Sequence, residues 1–139
     1  MAQTPRTPYL GRYLVAMIGV TIGLTVLRIA LIQVAGIALP GGALAIIPPM
    51  AGALYAGQAW GRERREVPAN AIAWRWALVA GIVYLAVQLL ILPLSLTGAQ
   101  ITTSLLTTLA AIIAVTAIVA VFVHRFFLTI GAKGAIARP

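Results

Sequence analysis

Few side chains in this sequence can take part in a reaction, and their positions decide which reactions are open to it. Glu63 and Glu66 are the only acids, His124 is the only histidine, and cysteine is absent. The lack of cysteine removes disulfides, thiol nucleophiles and thiolate metal sites. Glu63 and Glu66 stand three apart among Arg62, Arg64 and Arg65, a pattern of loop salt bridges and not of an acid–base pair. The serines, Ser95 and Ser104, fall at the opposite ends of apolar stretches from His124. A nucleophile must lie within hydrogen-bond reach of its base, so a separation of one membrane thickness excludes a hydrolase triad. With no carboxylate or second histidine nearby, His124 reads as an interfacial side chain and not as a metal ligand. The residues therefore point away from an enzyme, and toward a chain that holds no metal and no other cofactor.

One cation interrupts the apolar pattern. Arg28 lies inside the first apolar stretch, eight residues before Gly36, or about 12 Å from the outer end of a helix rising 1.5 Å per residue. A charge at the bilayer centre costs about 2.5–3.5 kcal/mol on insertion scales, less where the side chain snorkels. Tyr84 and Gln88, one turn apart, fall at a similar depth, as do Thr107 and Thr108. Pro48, Pro49 and Pro93 lack an N–H, which frees the carbonyls of Leu44, Ala45 and Leu89. A guanidinium has five donors and no acceptor. These acceptors predict an intramembrane polar cluster of Arg28, Tyr84, Gln88, Thr107 and Thr108. The plainer arrangement has Arg28 snorkelling along lipid and Gln88 bonding within its own helix. Proton-coupled transport normally uses a carboxylate or histidine within the membrane, and its absence here counts against a proton-driven exporter.

The elements that position these groups follow from composition. Hydrophobic residues make up 62% of the 139 residues and charged ones 9%, where soluble domains average about 25% charged. So few charges cannot cover a water-facing surface, so most of the surface must face hydrocarbon. Crossing a core of about 30 Å takes about 20 helical residues. Four stretches qualify, over about 13–35, 43–60, 76–96 and 101–123. They are joined by uncharged turns at 36–42 and 97–100 and by a basic loop at 61–75. An isolated segment in lipid must satisfy its own backbone, which makes each stretch a helix. The first is expected to stay uncleaved, because the apolar run continues to Ala35 with Arg28 inside it. Asn70 is expected to cap a lead-in to the third.

Basic residues set the orientation. Arg6, Arg12, Arg62, Arg64, Arg65, Arg75, Arg125, Lys133 and Arg138 all fall on one side of these spans and none on the other. Such a split marks the cytoplasmic side of a bacterial inner membrane. Tyr9, Tyr13, Trp60, Trp74, Trp76, Phe126 and Phe127 would form an aromatic belt at that interface. Small residues four apart (Gly19 and Gly23, Gly52 and Ala56, Ala77 and Gly81, Ala110 and Ala114) allow close helix approach. The fold class is all-α: a single domain, an integral bundle of four antiparallel transmembrane helices with both termini cytoplasmic.

The net charge of +8 arises from scarce acids, not from a basic stripe, so nucleic acid is not an expected partner. The lipid bilayer is one. Arg62, Arg64, Arg65 and Arg75 are candidate contacts to anionic headgroups, at about 1 kcal/mol per basic residue.

The segment from Ala56-Gly57-Gln58-Ala59-Trp60 through Arg65 and Pro68 to Trp74-Arg75-Trp76 resembles a group of small four-helix bacterial inner-membrane proteins. That resemblance spans nearly the whole chain and implies a fold but no activity. Fluoride channels are similar in size and also carry an arginine in the first helix, which Arg28 would match. Their second-helix asparagine and third-helix break have no counterpart here. The expected function is a non-catalytic membrane protein acting as a homo-oligomer or as an accessory component of a larger membrane complex. The alternative is an anion channel or anion-binding transporter using Arg28.

Overall fold

The computed structural model describes residues 7–38, 40–98 and 100–137. Arg6 and Arg138, two of the basic residues expected to orient the chain, lie outside the described residues. Four helices account for the regular structure: α1 (Leu10–Ala35), α2 (Gly41–Arg64), α3 (Asn70–Ser95) and α4 (Thr103–Ile136). Three segments, α1, residues Asn70–Pro93 of α3, and α4, are long and apolar enough to cross a membrane. The chain is thus an all-helical, multi-pass membrane bundle by length and composition.

The second expected span behaves differently. Pro48, Pro49, Gln58 and several glycines lower the apolarity of α2, which falls outside those three. The reason is packing: Ala53, Ala56, Ala59 and Trp60 are buried, Ala53 and Ala56 completely. A helix wrapped by protein needs small residues for close approach more than it needs bulk apolar surface.

The tightest approach is between α2 and α4. A Cβ placed on Gly57 would overlap the Leu128 carbonyl, one on Gly61 the Ala132 carbonyl, and one on Gly131 the Leu54 carbonyl. Gly57 and Gly61 meet Leu128 and Ala132 in the same chain order, so these two helices advance side by side. The same face explains the length of α4. The sequence predicts an end at Val123, yet the helix runs on to Ile136, about 51 Å in all. His124, Leu128, Gly131 and Ala132 recur at helical spacing and are buried, so the helix continues past the apolar run because this face is packed against α2.

Further corrections concern the end of the bundle that carries Tyr9, Trp60 and Asn70, called the inner end after its expected orientation. Tyr13, Trp60 and Trp76, assigned above to an interfacial belt, are 0–1% exposed and belong to the core. Asn70 opens α3 without capping it; its Oδ1 accepts a 2.7 Å hydrogen bond from Arg125 instead. The segment before α1 is latched across the bundle: the Trp76 indole donates to the Pro8 carbonyl (2.9 Å), and the Tyr9 hydroxyl to Glu63 (2.8 Å). Arg12 pairs with the same carboxylate at 2.7 Å. These contacts hold Tyr9 at φ 66°, a left-handed conformation costing about 1–2 kcal/mol. Of the small-residue pairs, Gly52 meets Tyr13 and Gly81 meets Val121, but Gly19 and Gly23 face open space. Ala110 and Ala114 are exposed.

The glycines give a paired prediction. Gly57→Ala forces a methyl into the Leu128 backbone and should destabilise the fold by about 1–3 kcal/mol. Gly134→Ala meets nothing within 4 Å and should be neutral or stabilising by up to about 1 kcal/mol. Melting curves of the two variants in detergent, followed by circular dichroism, check both signs.

Candidate functional site

Two regions combine polar groups with enclosure: a buried line through the middle of the bundle and an open groove at its inner end. The buried line begins with the proline-freed carbonyl of α2. Pro49 cannot donate to Ala45, and the Tyr84 hydroxyl of α3 fills that vacancy at 2.8 Å. Gln88, one turn on, donates to the Tyr84 oxygen at 2.9 Å. Further in, the Tyr13 hydroxyl of α1 lies 2.7 Å from His124 Nε2 on α4. The Ala80 carbonyl and Met17 sulfur stand near the same hydroxyl at 3.5 and 3.1 Å. The rings of Tyr13, Trp76 and Tyr84 surround the imidazole edge-on, with centroids 5.1, 6.5 and 6.2 Å away.

His124 is therefore not interfacial: it is completely buried. Sequence reading placed it by its neighbour Arg125 and by the end of the apolar run. The signal that marks it as core is its spacing from Leu128 and Ala132, four and eight residues on, facing Gly57 and Gly61 of α2. Its Nδ1 has no hydrogen-bond partner of good geometry. Nε2 is engaged by Tyr13, and among the described residues no three His, Cys, Asp or Glu side chains gather in one place. His124, held by the Tyr13 hydroxyl in a box of aromatic rings, ties α1, α3 and α4 together.

Tyr84 and Gln88, two members of the expected polar cluster, are brought together; the rest stand apart from them. Thr107 and Thr108 donate to the carbonyls of Thr103 and Ser104 in their own helix, both at 2.9 Å. Arg28 is exposed on α1, and among the described residues no hydrogen bond or ion pair engages it.

The inner groove lies between α2 and α4 and measures about 760 Å³. Arg62 and Arg65 stand at its rim, with Gln58, Leu54, Ile130 and Gly134 along it. The Gln58 side-chain oxygen accepts from Arg62 at 3.0 Å, fixing that guanidinium. Arg65 ends α2 at φ 55°, its N–H bonded to the Gly61 carbonyl. Of the four arginines expected to meet lipid, the structure gathers Arg62 and Arg65 here. Arg64 instead stacks on Trp60, 4.6 Å from the ring centroid, and Arg75 is exposed outside the groove. No family model, curated protein or solved structure matches this chain.

Two outcomes are expected. Tyr84→Phe strands the Ala45 carbonyl and Gln88 and should cost about 1–3 kcal/mol, whereas Tyr55→Phe, at a half-exposed ring, should cost little; chemical or thermal unfolding in detergent compares them. At the latch, the Tyr9 hydrogen bond, then Arg12, holds the Glu63 carboxyl below its ordinary value of 4.5. That stabilisation is fully present above pH 4.5 and is lost as the pH falls through the lowered value. Glu63→Gln should remove this acid-dependent part of the melting temperature, read from melts across the acid range.

Proposed function

We propose that this chain is a non-catalytic, multi-pass protein of a bacterial inner membrane, acting as a homo-oligomer or as an accessory component of a larger membrane complex. In this reading both termini and the 61–75 loop are cytoplasmic, because nine of the ten basic residues would then lie on one side. Neighbouring spans alternate in direction.

The observation that carries the proposal is Arg28. It sits in the outer half of α1, on a stretch from Thr25 to Ala30 in which every residue is exposed. Apolar side chains there cost nothing against lipid. A guanidinium does, by about 2.5–3.5 kcal/mol when central, and this chain has no acid at that depth to offset it. Glu63 is already engaged at the inner end by Tyr9 and Arg12. Among the described residues no acceptor engages Arg28, and in this reading the acceptor comes from outside the chain. A second copy offers the exposed hydroxyls of Thr107 and Thr108 at a similar depth, which would complete between chains the cluster expected within one. Ala110 and Ala114, exposed on the same helix, permit the close approach such contacts need.

Native mass measurement in mild detergent tests this. The expected mass exceeds the 14.6 kDa of one chain, and Arg28→Leu should shift the population toward that single-chain mass. A wild-type protein found only at the single-chain mass, without partners, would remove the basis for the reading.

A further inference from the structure

We propose that the inner groove is a binding site for one anionic phospholipid, its phosphate held by Arg62 and Arg65 and one acyl chain lying along α2 toward α1. Charge sets the headgroup end. Arg62 and Arg65 stand together at the rim, and among the described residues neither is paired to an acid: Glu63 is taken by Arg12, and no ion pair joins Glu66 to either. Gln58 uses its oxygen on Arg62, which orients one edge of the guanidinium and leaves other N–H groups for phosphate oxygens.

The chain end follows from continuity. Leu54 and Gln58 line this groove and also a second one, about 410 Å³, formed by α1 and α2. Gly19, Ala51 and Tyr55 line that second groove. From Arg62 to Ala51 is 11 residues, or about 16 Å along α2, close to half of a hydrocarbon core of about 30 Å. The polar-to-apolar order, from arginine rim to glycine wall, is that of a lipid standing in one leaflet. It also accounts for Gly19, where an added Cβ would meet no atom within 4 Å: its missing side chain keeps the second groove open.

A soluble phosphate would use the rim alone, and diffuse attraction to anionic lipid would use any exposed arginine, so the test separates these. Purified protein is reconstituted in phosphatidylcholine nanodiscs containing phosphatidylglycerol, and retained lipid is counted by native mass spectrometry after mild delipidation. Folding of every variant is checked by circular dichroism. The expected result is retention of phosphatidylglycerol over phosphatidylcholine, reduced about fivefold by Arg62→Gln or by Arg65→Gln, the factor equivalent to ~1 kcal/mol per basic residue. Gly19→Leu and Gly134→Leu, whose new side chains enter open space, should reduce it similarly by filling the grooves. Arg75→Gln, an equal loss of charge outside the groove, should leave it unchanged. Equal loss in Arg75→Gln would overturn the site in favour of diffuse attraction. Full retention in Gly19→Leu, or displacement of the lipid by millimolar inorganic phosphate, would overturn the acyl-chain placement.

Discussion

The distance between α2 and α4 governs the rest of this structure. Gly57, Gly61 and Gly131 let the two backbones meet with no side chain between them, a separation that any larger residue would widen. Once that distance is set, the α4 face carrying His124, Leu128 and Ala132 is sealed, and α1 and α3 close over it through Tyr13, Trp76 and Tyr84. In lipid there is little hydrophobic drive to bring apolar helices together, so such contact-range packing and a few hydrogen bonds must hold the bundle. The hydrogen bonds are where packing alone leaves a vacancy. Tyr84 answers the carbonyl freed by Pro49, and Tyr13 answers the imidazole.

The bundle is consequently uneven. Its inner half holds the buried aromatics, the latch at Tyr9 and Glu63, and the basic groove. Its outer half leaves α1 open around Arg28 and α4 open around Ala110 and Ala114. This unevenness underlies both proposals above, lipid binding at the packed end and completion of the open end by another chain.

The four helices, and the membrane-crossing length of α1, α3 and α4, were legible in the sequence because they depend on apolar length, a property each segment carries by itself. What depended on neighbours was not. The low apolarity of α2 records its burial among other helices, which no window along one segment reveals. Asn70 has the form of a cap, yet Arg125, 55 positions away, claims its side chain. His124 was hidden by position, since it follows the apolar run and precedes an arginine. Only the pairing of its face with Gly57 and Gly61 places it inside. Tyr84 and Gln88 were legible as partners because they are one turn apart on one helix. Arg28, Thr107 and Thr108 shared a depth, and depth does not determine which helices face each other. The freed carbonyl of Ala45 was foreseen correctly from Pro49, but its donor is a tyrosine rather than the arginine.

The convergence of helices on His124 is open to one direct measurement. Because the chain has a single histidine, its imidazole protons can be observed without ambiguity by NMR of the protein in detergent micelles. The account predicts nuclear Overhauser contacts from that ring to the rings of Tyr13, Trp76 and Tyr84, and none to water. An imidazole showing contacts only to water and detergent headgroups would contradict it.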